Sequence, residues 1–324
     1  MIESLKLWKC GDIVGKKARL AAVIAAVMTL IVTVVRIVLT PQMLDLRTGE
    51  FQLSAVIIGL MAATAIVVIV LSYLDKIPAL PSIEGRPLQA TAWMMMALGA
   101  VLAITVLYDA FVWRQTGITP PPNTQITGTA DKLTLWGTLI FGLLAGVYGI
   151  LQGWNWISIR GFIPGKFRFL PLALPLWLWM RLARYVVSYA SAVSVTETFY
   201  DYAMLIVSLL FAMSLARYLS GLTTYRSPAL LWQALLTVLC GVSGPVTRFI
   251  MYLMGETDAY QASALASFPD LMMALFAGCV VVALVLGQRP VDPGDAQATG
   301  DEPLPETQSL LEELAPEQAP EHAE

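Results

Sequence analysis

The chain has 324 residues, 57% hydrophobic and only 13% charged, with a net charge of −3 and a mean hydropathy of +0.69. Soluble domains carry roughly a quarter charged residues, so this composition excludes an ordinary soluble enzyme and offers no basic face for nucleic acid. It fits a chain solvated largely by lipid.

A bilayer-spanning helix takes roughly 20 mostly apolar residues. Eight such windows follow one another, near 18–39, 53–74, 90–112, 134–157, 170–192, 203–220, 229–250 and 268–287. The expected fold is an all-α, polytopic membrane helix bundle of about eight transmembrane helices with both termini cytoplasmic. Residues 1–17 form a basic cytoplasmic segment, 18–288 the membrane domain, and 289–324 an acidic tail.

In "MIESLKLWKCGDIVGKKAR", Ile2, Leu5 and Trp8 line up beside Lys6 and Lys9. This reads either as an interfacial helix or as a plain basic flank. The run Leu20 to Thr40 exceeds the roughly 7–15 residues of a signal-peptide core, so a retained first helix is expected. Helices running from outside to inside open near Glu50, Asp131, Asp201 and Asp270, where an acid complements the positive end of the helix dipole. "SVTE" (194–197) and "SFPD" (267–270) resemble capping boxes. Joining 184–217 into one helix would place "ETFYD" at mid-membrane, which favours eight spans over seven. No residue-level inverted repeat accompanies the shared acidic openings.

Lysine and arginine set the orientation. With the N-terminus inside, thirteen basic residues fall on the cytoplasmic side and four outside (Arg47, Arg114, Lys132, Arg248). Arg36, Arg181 and Arg184 remain within the spans, and Arg36 and Asp109 read as interfacial charges. Cys10 is cytoplasmic while Cys240 and Cys279 fall mid-span, so no extracellular disulfide is implied. The segment 113–130 is a Pro- and Thr-rich outer loop. "SIRGFIPGKFRF" (158–169) suits contact with anionic headgroups or simple basic anchoring. Residues 289–324 hold ten acids, one arginine and six prolines, a composition of disorder. Within them "ETQSLLEELA" is either a partner-binding helix or an incidental apolar patch.

The chemistry is bounded by one histidine, His322, in that tail. Haem and zinc ligation and most membrane proton relays favour imidazole, and no cofactor or metal is expected. "GVSG" (241–244) matches the GxSG of rhomboid proteases, but their histidine base has no counterpart here. Ser243 reads instead as a packing or kink position beside Pro245. An enzyme is the minority reading.

The polar exception is "RLARYVVSYASAVSVTETFYDY" (181–202). At 100° per residue, Trp177, Arg181, Arg184, Tyr185, Ser188 and Ser191 share one side of the fifth helix, opposite Val186, Ala190 and Val193. Lipid does not tolerate such a stripe, so it faces protein or water. An arginine at the helix centre costs about 2.5–3.5 kcal/mol on the insertion scale. Two readings stand. The arginines snorkel and hold an inner half-helix in place, or Arg181, Arg184, Tyr185 and Ser188 form a site for an anionic group. Glu197 and Asp201 are weaker site candidates with a plain explanation as helix starts. Their direct pairing with the arginines is disfavoured, because side chains lean toward their own helix N-termini.

The run "RLARYVVSYASAVSVTETFYDYAMLIVSLLFAMSLARY" resembles a segment of uncharacterised multi-pass membrane proteins of clostridial (Firmicutes) bacteria. The likeness lies in basic residues before a Tyr/Ser run, a Ser-x-x-Glu turn and an apolar helix ending in Ala-Arg. It covers about an eighth of the chain and implies a bacterial plasma membrane, with no activity attached. The leading expectation is a binding or transport protein for a small anionic or amphipathic molecule. The alternative is a non-catalytic scaffold or sensor subunit whose acidic tail engages a cytosolic protein. A third, an enzyme on lipid-linked substrates, would need Glu197 or Asp201 as its carboxylate.

Overall fold

The computed structural model describes residues 16–44, 50–74, 86–119, 124–125, 128–159, 169–187, 195–220, 228–255 and 267–286. The N-terminal basic segment up to residue 15, the 160–168 loop, Ser188, Ser191 and the acidic tail lie outside them.

Eight helices run through the described residues. They are α1 (Lys16–Leu44), α2 (Glu50–Leu74), α3 (Arg86–Thr116), α4 (Thr129–Ile159), α5 (Ala173–Val187), α6 (Val195–Leu219), α7 (Pro228–Leu253) and α8 (Phe268–Leu286). Each coincides with one apolar window of the sequence. Seven are long and apolar enough to cross a membrane. The exception is α5, with 15 residues after a turn of 3-10 helix at Leu170–Leu172. Pro171 and Pro175 lack the amide hydrogens that α-helical bonding from those positions would need, so the regular helix starts later than the apolar window does. The chain is a multi-spanning membrane protein. Its one departure from all-α structure is a two-residue antiparallel pair, β1 (Ile118–Thr119) with β2 (Thr124–Gln125), in the Pro/Thr-rich loop.

Hydroxyls inside apolar helices are satisfied locally. Thr29, Thr33, Thr64, Ser72, Thr138, Thr237 and Thr247 each donate to the carbonyl four residues earlier, at 2.7–2.8 Å. In lipid a polar group without such a partner is costly. The α7 helix continues through Pro245, and Ser243 is fully buried, donating to the Cys240 carbonyl at 3.3 Å. Ser243 is therefore a packing residue.

Six helices close a ring: α3 packs on α4, α4 on α5, α5 on α6, α6 on α7, α7 on α8, and α8 again on α3. Outside it, α1 lies on α7, and α2 on α1 and α7. The ring is filled below one end by Leu98, Leu102, Trp177, Leu178, Leu205, Phe211 and Phe276. The Phe211 and Phe276 rings meet across it, 6.1 Å between centroids.

The closest approach is between α3 and α4. Gly142, Gly146, Gly149 and Gly153 recur at spacings of four, three and four, one stripe of a helix. A Cβ on Gly99 would lie 2.5 Å from the Gly146 carbonyl oxygen, and one on Gly149 would lie 3.0 Å from Gly99 Cα. The two backbones therefore touch, the arrangement that small residues permit in membranes. Gly137 and Gly142 make room for Met180 and Trp177 of α5 in the same way. Replacing Gly149 by valine should lower the detergent melting temperature through overpacking of about 1–3 kcal/mol. Gly59→Val, where an added Cβ meets nothing within 4 Å, should change it little. Equal melting temperatures for the two variants would refute the close-packed seam.

Candidate functional site

Exposed aromatic side chains mark two levels on the bundle. Trp136 and Trp154 of α4 are 18 residues apart, five whole turns, and both face outward at 52% and 61% exposure. That spacing is about 27 Å of helix rise, close to the roughly 30 Å hydrocarbon thickness between the aromatic girdles of membrane proteins. On α3, Trp93 and Tyr108 bracket a similar length, and Phe249 near the end of α7 and Phe268 at the opening of α8 are exposed as well.

At that level the bundle buries charge. Arg181 of α5 gives a two-toothed ion pair to Asp270 of α8, with Nη1–Oδ1 at 2.5 Å and Nη2–Oδ2 at 3.0 Å. The side chains are 11% and 7% exposed. Since α5 and α8 are not neighbours in the ring, this pair spans its interior. The Arg181 guanidinium also lies 4.8 Å from the Trp177 ring centroid, a cation–π contact. Arg248 of α7 donates Nη2 to Asp201 of α6 at 2.7 Å and Nη1 to Ser267, which precedes α8, at 3.2 Å. Arg36 of α1 is 3% exposed, its guanidinium 4.0 Å above the Tyr200 ring and beside Gly244. Arg184 is 5% exposed and feels the charges of Asp109 of α3 and Asp131 of α4. Asp131 sits in the first turn of α4 and accepts the Gly128 N–H at 3.2 Å.

These contacts correct several sequence expectations. Arg181 does not snorkel from a helix centre: α5 ends at Val187, so Arg181 and Arg184 occupy its last two turns, where Asp270 receives the first. Arg36 and Arg248, expected at an interface and in an outer segment, are buried within the bundle, because α7 extends to Leu253 and α6 covers Arg36 with Tyr200. Asp201 does more than open a helix, since it pairs with Arg248. The inward-facing stripe itself is found, with Trp177 and Arg184 buried and Val186 61% exposed. Tyr185 is half-buried, its ring edge-on to Tyr202 at 6.1 Å. Ser188 and the Glu197 side chain fall outside the described residues.

Four arginines and four aspartates from seven helices thus meet at one end of the bundle. Among the described residues no three potential metal ligands gather. No family model, no curated protein and no solved structure matches the chain.

Removing one partner of a buried pair leaves the other uncompensated and costs about 3–5 kcal/mol, whereas replacing both is often neutral. Arg181→Leu should therefore lower the detergent melting temperature strongly, and adding Asp270→Leu should restore much of it. An unchanged melting temperature in the single variant would show that the pair carries no architectural weight.

Proposed function

We propose that the chain is a membrane-embedded binding or transport protein for a small anionic or amphipathic molecule, and that its site is the charged interior at one end of the six-helix ring. One observation carries the reading. Buried arginines from non-adjacent helices converge inside a closed ring, beneath which apolar side chains fill the interior. Guanidinium groups held in a water-poor setting suit carboxylate, sulfonate or phosphate geometry. The Arg181–Asp270 pair is architectural in this reading. Arg184 is the anion-facing group, with Tyr185 beside it.

The lysine and arginine distribution supports cytoplasmic termini, which would put the charged end on the outer side. The clostridial resemblance supports a bacterial plasma membrane. The position of Cys10, with Cys240 and Cys279 inside the helices α7 and α8, offers a direct check. An impermeant maleimide on intact bacteria should leave Cys10 unlabelled and should label it after lysis. Labelling of intact cells would reverse the orientation.

Binding is tested by detergent melting curves with acetate, nitrate, methanesulfonate and benzenesulfonate at fixed ionic strength. A ligand at 100 times its Kd stabilises by about 2.7 kcal/mol. At least one anion should raise the wild-type melting temperature and leave Arg184→Gln unmoved. Four flat responses would overturn the proposal.

A further inference from the structure

We infer that the lipid-facing groove between α3 and α4 holds one anionic phospholipid, its phosphate between Arg114 and Lys132 and its acyl chains along the apolar side chains beneath. The groove lies on the outside of the bundle, apart from the ion-paired interior.

The two helices run antiparallel, and their contacts fix which residues stand opposite. A Cβ on Gly146 would lie 3.1 Å from Ala103 Cβ, and one on Gly142 would lie 2.5 Å from a Val106 methyl. Nearer the same end, the Trp113 and Trp136 rings meet edge-on, 5.8 Å between centroids. Continued by one residue, that register sets Arg114, in the last turn of α3, level with the opening of α4, where Lys132 lies. At 100° per residue, Arg114 falls between the side of α3 that touches α4 at Ala103 and the exposed side bearing Leu107 and Phe111. Lys132 falls between the side of α4 that touches α3 at Gly146 and the exposed side bearing Trp136 and Leu143. Both cations therefore border one groove, and the tryptophan pair lies beneath them.

Charge and depth select the occupant. Both side chains are exposed, and among the described residues neither makes a hydrogen bond or ion pair. Asp131, next to Lys132 in the chain, accepts the Gly128 N–H instead. Exposed tryptophans sit at headgroup level, and Lys132 stands one turn outward of Trp136, at the depth of lipid phosphates. Side chains lean toward their own helix N-terminus. Arg114, late in α3, thus leans back toward the tryptophans, and Lys132, early in α4, leans away from them. The two approach one headgroup from opposite sides. A headgroup of net negative charge neutralises them, whereas a zwitterionic one brings a further cation into the same place. Leu107, Phe111, Trp136 and Leu143 give its acyl chains an apolar floor.

The test is native mass spectrometry of the full chain in detergent, titrated with dioleoyl phosphatidylglycerol or dioleoyl phosphatidylcholine. The wild type should bind its first phosphatidylglycerol more tightly than its first phosphatidylcholine. Arg114→Gln with Lys132→Gln should lose that preference, weakening phosphatidylglycerol by about 5-fold per cation and about 25-fold in all. Its melting temperature should stay that of the wild type, because both side chains are exposed. Arg114→Lys with Lys132→Arg, which conserves the charge, should keep the preference. So should Arg217→Gln, which removes an exposed cation in the last turn of α6, at the other end of the bundle. A wild type that binds the two lipids alike, or favours phosphatidylcholine, would overturn the inference. A double glutamine variant that keeps the preference, a charge-conserving variant that loses it, or an Arg217 variant that loses as much would overturn it too.

Discussion

Two guanidinium groups converge on the opening of α8, and much of the bundle hangs on that convergence. Asp270 receives Arg181 from across the ring, and Ser267 receives Arg248, which also holds Asp201. The first turn of a helix carries unpaired amide hydrogens and a positive dipole end, so a carboxylate there is favourable before any arginine arrives. The arginines use an acid already placed for a local reason. Two ring helices (α5 and α7) are thereby tied to α8 by polar contacts, and α6 is joined to them through Arg248. Apolar packing alone has little directional preference among greasy helices. The pairs supply the register that fixes which helix faces which.

The architecture was largely legible because membrane crossing imposes a length and a composition that eight windows satisfy one by one. The acidic opening near Asp131 was legible too, being a local feature of one helix start, though its bond from the Gly128 N–H was not read. What escaped was everything non-local. Asp270 lies 89 residues from Arg181, and no periodicity connects them. A depth argument would have come closer: in a bundle of alternating helices, the acids opening α4, α6 and α8 and the arginines late in α1, α5 and α7 must occupy the same level. The glycine stripe of α4 was also present in the sequence at heptad-like spacing, a signal of backbone contact that needs only helical geometry to recognise.

The site divides into groups with different legibility. The polar side of α5 could be read by rotation alone, since burying Trp177 and Arg184 forces Val186 outward. Whether an arginine is structural or ligand-facing depends on who stands opposite, and that is decided by ring closure. Arg181 is claimed by architecture. Asp109, which looked like an interfacial charge, is half-buried on α3. Contact therefore separates members of one layer that the sequence presents as chemically alike.

The seam between α3 and α4 has a mechanical meaning. With main chain resting on main chain at Gly99, Gly146 and Gly149, these two helices have no side-chain cushion between them to shear, and they behave as a single stiff plank. That plank carries Asp109 and Asp131 at fixed separation. By contrast α5, 15 residues long against 31 in α4 and 25 in α6 and seated on α4 in glycine notches at Gly137 and Gly142, has less wall to grip. The bundle is therefore stiffest along α3 and α4 and leanest at α5, which leans on its ion pair to α8 for what its short flank does not supply.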